Sequence, residues 1–111
     1  MKIFVKIIPI ILVILLSYWA VRPLFNAGFF PIHDDTQVAL VFEMNRSLSD
    51  RMFPVRWVAD LGYGYGYPIF NFYAPLAYYV GALFMFLGFN ALAATKIMIG
   101  LGVVLAGIFM Y

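Results

Sequence analysis

The chain has 111 residues, of which 66% are hydrophobic, 20% aromatic and only 11% charged. A globule of that size has too little interior to hide so much apolar surface, so an ordinary soluble domain is excluded and lipid must cover part of the chain. The net charge of +2 comes from seven basic residues spread along the sequence, which leaves no basic cluster to bind nucleic acid. The absence of cysteine also removes disulfides, thiolate nucleophiles and cysteine metal sites.

The first apolar run, IIPIILVILLSYWAV at 7–21, is short for a bilayer. If Lys6 snorkels, the helix extends over 3–24 and reaches the roughly 20 residues that a span requires. Pro9 is expected near its start, where a missing amide donor costs least. Lys2, Lys6 and the apolar core also form the first two parts of a signal peptide. The bulky Tyr18 and Trp19 stand where a small-residue cleavage motif belongs, which favours an uncleaved anchor with an interfacial aromatic belt. The chain then divides into transmembrane helix 1 over 1–24, a long extracytoplasmic loop over 25–68, transmembrane helix 2 over 69–89, and a third over 91–111 that stops without a polar flank. This describes an all-α membrane protein with three transmembrane helices, the third truncated, and a chain expected to be the amino-terminal fragment of a larger multi-pass protein whose further transmembrane helices are its partners.

Lys2, Lys6 and Lys96 favour a cytoplasmic amino terminus, while Arg22, Arg46, Arg51 and Arg56 fall between the first two spans and count against it. An inward amino terminus in the cell membrane, with the 25–68 loop outside, is the expected topology. Within that loop FFPIHDD introduces a helix expected over about 35–49, for which Asp34 or Asp35 can act as N-cap. At 100° per residue Val38, Val41, Phe42 and Leu48 share one face, with Asn45 in its middle. Asp35, Ala39, Glu43, Arg46 and Asp50 share another. The pattern predicts an imperfect amphipathic helix lying on the membrane surface or against other loops, with weak Glu43–Arg46 and Arg46–Asp50 pairs.

The polar loop is where chemistry must be sought. His33, Asp34 and Asp35 combine an imidazole with two carboxylates, a set that can hold a hard divalent cation or let one carboxylate act as a base beside its neighbour. Adjacent acids before a helix also serve as caps, and the two roles can coexist, one on each carboxylate. Arg46, Arg51 and Arg56 offer planar paired donors suited to phosphate, or they snorkel and pair with Glu43, Asp50 and Asp60.

The stretch DLGYGYGYPIFNFYAPLAYY at 60–79 alternates Gly62, Gly64 and Gly66 with Tyr63, Tyr65 and Tyr67. Its Gly-Tyr-Gly resembles a potassium-channel filter only superficially, because Asp60 and Leu61 replace the expected Thr-Val and the upstream helix is too polar for a pore helix. Its tyrosines can stack a ligand or lie at the headgroup level where the loop descends into the second span.

The anchor, HDD at 33–35, FPVRW at 53–57 and GYGYGYPIFNFYAPLAYY at 62–79 together resemble the amino-terminal region of large bacterial membrane proteins. That family is described as membrane 6-pyruvoyl-tetrahydropterin-synthase-related, and it is similar to the GT-C class of lipid-phosphate-sugar-dependent glycosyltransferases. The resemblance implies transfer from a polyprenyl-phosphate sugar. Asp34, with Asp35 as alternate, would be the base or ligand of a divalent metal ion with His33 beside it, and Arg46, Arg51 or Arg56 would meet lipid phosphate. It also implies that this stretch is inactive alone. The pterin label brings no pterin chemistry, since no cluster of histidines is present. A non-enzymatic scaffold or transporter, in which the acids only cap a helix, is the alternative.

Overall fold

In the structure, a computed structural model, residues 2–30 and 36–110 are described. These residues are all-helical apart from one isolated bridge. Helix α1 is Lys2–Val21, α2 is Gln37–Ser49, α3 is Leu76–Phe86 and α4 is Ala91–Phe109. Short 3-10 turns cover Arg22–Phe25 and Ile69–Asn71. The chain divides into two compact units, Met1–Pro31 with Ile99–Tyr111, and Ile32–Met98, so that α4 belongs to both.

In the first unit, α1 contains 20 residues and α4 contains 19. At about 1.5 Å per residue each spans close to the roughly 30 Å of a bilayer's hydrocarbon core. Both are long and apolar enough to cross a membrane. No residue of Ile7–Phe25 is buried, and Ile11, Leu12, Leu15, Leu16, Tyr18 and Trp19 all stand exposed. Pro9 lies inside α1, about two turns from its start at Lys2. At the other end, the Arg22 guanidinium sits 5.7 Å from the centre of the Trp19 ring, a cation–π contact at the end of the apolar stretch. Glycines let α4 approach α1. A Cβ at Gly107 would lie 2.7 Å from Val13 Cγ1, and one at Gly100 would lie 3.4 Å from Leu24 Cδ1 and 3.9 Å from Val21 Cγ1. These pairs run in opposite chain order, so the two stretches are antiparallel and meet at small residues, as membrane helices commonly do.

In the second unit, α2 packs on α3. Leu40, Val41 and Met44 from α2, Val55 and Val58 from the following segment, Phe70, Tyr78 and Ala82 from the α3 side, and Ala94 from α4 form one core. Val41, Met44 and Val58 are fully buried, and removing each such side chain from water contributes about 1.5–3 kcal/mol. Polar groups tie the edges. The Tyr78 hydroxyl donates to Gln37 Oε1 at 2.8 Å, and the Val55 amide donates to the Tyr79 hydroxyl at 2.9 Å. Buried Thr95 satisfies its hydroxyl on the Ala91 carbonyl at 2.7 Å, and Asn90 Oδ1 accepts the Ala93 amide at 2.8 Å, capping the start of α4.

Two sequence expectations change here. The helix expected over 69–89 is a 3-10 turn followed by α3, whose 11 residues reach about 16 Å, roughly half a bilayer core. Pro68 and Pro75 bracket that turn and deny amides to a continuous helix. The expected apolar face of α2 is also rotated. Val41 is inside, but Phe42 is exposed while Leu40, Glu43, Met44 and Ser47 are buried. That buried face meets α3.

Both α2 and α3 end in Schellman motifs. After α3, the Phe89 amide donates to the Phe84 carbonyl at 3.2 Å and the Gly88 amide to Met85 at 3.0 Å, with Gly88 at φ 101. After α2, the Met52 amide donates to Ser47 and the Arg51 amide to Leu48, both at 3.0 Å. Here the left-handed position is held by Arg51 at φ 63, where a side chain costs about 1–2 kcal/mol. Arg51→Gly relieves that strain but adds freedom to the unfolded chain, so a net stabilisation of about 0.5–1 kcal/mol is expected. It would register as a higher thermal unfolding midpoint.

Candidate functional site

The acidic candidates, His33, Asp34 and Asp35, lie outside the described residues. They fall between Phe30 and Thr36 in the sequence, and the N-cap of α2 is Thr36, which makes no side-chain cap hydrogen bond, in place of the expected Asp34 or Asp35. Among the described residues no group of three or more His, Asp or Glu is placed to hold a metal ion.

The arginine candidates separate. Arg46, in the last turn of α2, forms an ion pair with Asp60, fourteen residues on in the chain. Of the three acids expected as arginine partners, Asp60 takes it, and Glu43 and Asp50 do not. An i,i+4 pair fixes two long side chains on one helix, whereas Asp60 is brought to Arg46 by the folded loop. The pair is half-exposed, 53% and 49%, so it contributes only about 0.2–1 kcal/mol. Arg51 and Arg56 are exposed and take no part in an ion pair among the described residues. Arg51 is carried on the left-handed residue after α2, and Arg56 precedes Trp57 in the segment beneath the tyrosine loop. The structure thus brings Arg46 together with an acid and leaves the other two available.

Sequence reasoning missed Glu43. Placed there on the solvent face, it is only 8% exposed. Burial pushes its carboxyl above the usual range, the neighbouring Asp60 carboxylate pushes it further in the same direction, and Arg46 partly opposes both. Because the folded protein then holds this proton more tightly than the unfolded chain, stability falls as pH rises from the ordinary carboxyl range through the raised value. Glu43→Gln is expected to flatten that part of the stability–pH curve and to be neutral or stabilising at neutral pH. Thermal melts of both proteins across mildly acidic and neutral pH check this, and a slope that survives the substitution would refute the assignment. Asn45 was read correctly as a polar residue on an apolar face. Its Oδ1 is buried without a hydrogen-bond partner among the described residues.

The tyrosine stretch is a closed loop. Val58 and Tyr67 exchange both backbone hydrogen bonds, at 3.0 and 2.9 Å. Inside them the Gly66 amide donates to the Leu61 carbonyl at 2.9 Å, and the Tyr65 amide to Gly62 at 3.1 Å. The two central residues of that last turn, Tyr63 at φ 60 and Gly64 at φ 86, both have the positive φ that a type I′ turn requires. Gly66, at φ 83, lies against the Trp57 indole so closely that any Cβ would collide with the ring. Tyr63 and Tyr65 project from the tip, fully or almost fully exposed. Alternation of glycine and tyrosine was visible in the sequence, but the Trp57 backing was not.

Comparison of the chain with protein-family models, curated proteins and solved structures found no match.

Proposed function

We propose that this chain is an integral membrane protein that works within a GT-C-like glycosyltransferase using a polyprenyl-phosphate sugar. In this reading α1 and α4 cross the cell membrane, and the segment between them stands on the extracytoplasmic side with the amino terminus in the cytoplasm. The observation that carries the membrane part is the pair of helices long and apolar enough to span, one of them with no buried residue over Ile7–Phe25. They are separated by a unit that holds every acid of the chain. With two spans, Lys2 and Lys6 flank one side of the bilayer while Arg22 and Lys96 flank the other. The basic residues beside the spans therefore balance, and the orientation rests on the family resemblance.

The catalytic part also rests on that resemblance. Asp34, with Asp35 as alternate, acts as the base toward the acceptor or as a ligand of a divalent cation with His33. Arg51 and Arg56 are the arginines available to a lipid phosphate. Arg46 would have to exchange Asp60 for it.

The test is sugar transfer from polyprenyl-phosphate donors by the intact protein in proteoliposomes. Transfer that is lost on substitution of Asp34 or Asp35 supports the reading, and no transfer with any such donor, or turnover indifferent to both substitutions, refutes it. Orientation is read separately. A cysteine at Ser49, exposed on α2, is expected to react with an impermeant thiol reagent in intact cells, and reaction only after lysis would place the unit in the cytoplasm.

A further inference from the structure

The loop between Val58 and Tyr67 is built to present aromatic rings. Its bridge, its turn and the Gly66–Trp57 contact hold the backbone in one conformation, while Tyr63 is 103% and Tyr65 87% exposed. Rings held in water on an ordered turn keep their apolar area for a partner and lose little conformational freedom when they meet it.

We propose that this is a headgroup-docking loop. Tyr63 and Tyr65 enter the interfacial layer of the same phospholipid bilayer that α1 and α4 cross, an inference that rests on the membrane reading above. Three observations select lipid as the occupant. The unit carrying the loop is joined at both ends to apolar helices of spanning length, so a bilayer is present at high effective concentration without a second binding event. The exposed residues are tyrosines, which place a ring in the acyl boundary and a hydroxyl among the headgroups. Arg56, next to the supporting Trp57, is exposed and unpaired among the described residues and offers lipid phosphate a guanidinium.

The chain has no native cysteine, so single nitroxide labels can be placed one at a time. Tyr63→Cys and Tyr65→Cys each leave the other tyrosine in place. Leu16→Cys marks the exposed face of α1, and Ser49→Cys marks water. In vesicles of phosphatidylcholine and phosphatidylglycerol, the ratio of collisions with oxygen to collisions with a water-soluble nickel chelate reports depth. The labels at 63 and 65 are expected to give ratios several-fold above that at 49 and closer to that at 16. Ratios at 63 and 65 equal to that at 49, with 16 still lipid-like, would overturn the docking loop and leave the membrane reading standing. A nickel-exposed label at 16 would overturn both. Gly66→Ala in the Tyr63→Cys protein drives a methyl into the Trp57 ring and should return the label toward the aqueous ratio, and an unchanged ratio would refute the role of the preformed backbone. A label that stays aqueous in lipid and is shielded only by added oligosaccharide would also overturn the proposal, assigning the loop to sugar.

Discussion

Asp34→Asn is expected to lower sugar transfer by about 100- to 10,000-fold, the usual loss when a positioned general base is removed, while leaving thermal stability unchanged. Asparagine is the informative replacement because it keeps the size and shape of aspartate while removing its chemistry. As a base it has no proton affinity to use, and as a ligand for a hard cation it has lost its charge. The N-cap of α2 is Thr36, so the substitution takes no cap from that helix. If Asp34 has no catalytic role, Asp34→Asn will be silent in turnover. The same substitution at Asp35 distinguishes the two carboxylates, since the chemistry needs only one of them as base.

Gly81→Leu is expected to destabilise the Ile32–Met98 unit by about 3 kcal/mol or more, the upper part of the range for overpacking a core. A Cβ alone would stand 2.8 and 3.0 Å from the two methyls of Val41 and 3.3 Å from Met98 Sδ. Val41 is completely buried and, being β-branched, has one strongly preferred rotamer in a helix. It cannot swing aside. The gain from replacing a helical glycine, about 1 kcal/mol, is too small to reverse the sign. Thermal unfolding of the protein in lipid or detergent measures the loss. A paired test isolates the contact. Val41→Ala alone should cost about 2 kcal/mol by opening a cavity, whereas combined with Gly81→Ala it should cost less than the sum, because the new methyl occupies the vacated space. Strict additivity would show that α2 and α3 are not held at that crossing.

What could be read from the sequence follows from short-range chemistry. The apolar stretch of α1 ends at Tyr18 and Trp19, α2 runs to Ser49 as its spacing predicts, and α4 begins after Asn90, a residue with a natural cap. Each depends on neighbours within a few positions. The candidate site was legible only as residue types. His33, Asp34 and Asp35 are adjacent in the sequence, and they lie outside the described residues.

Length misled for 69–89, where apolar composition suggested a span. The prolines at 68 and 75 instead give a 3-10 turn and a helix of 11 residues, since apolarity records what a segment avoids and not how long it stays helical. Glu43 and Arg46 show the same limit for electrostatics. Helical spacing offered each a partner four residues or fewer away, yet the fold buries the first and, of the acids the sequence offered the second, selects the distant Asp60.

The amino-acid sequence by itself determined that this protein carries helices apolar enough to cross a membrane, and that its acids are confined to one segment, because composition and helical period act locally. Tertiary structure alone decided that α2 turns its apolar face to α3, that Gly81 must be small, and that Gly66 and Trp57 hold the tyrosine loop out from the core. Those outcomes depend on which distant surfaces meet, and a meeting of two surfaces is not encoded at either one.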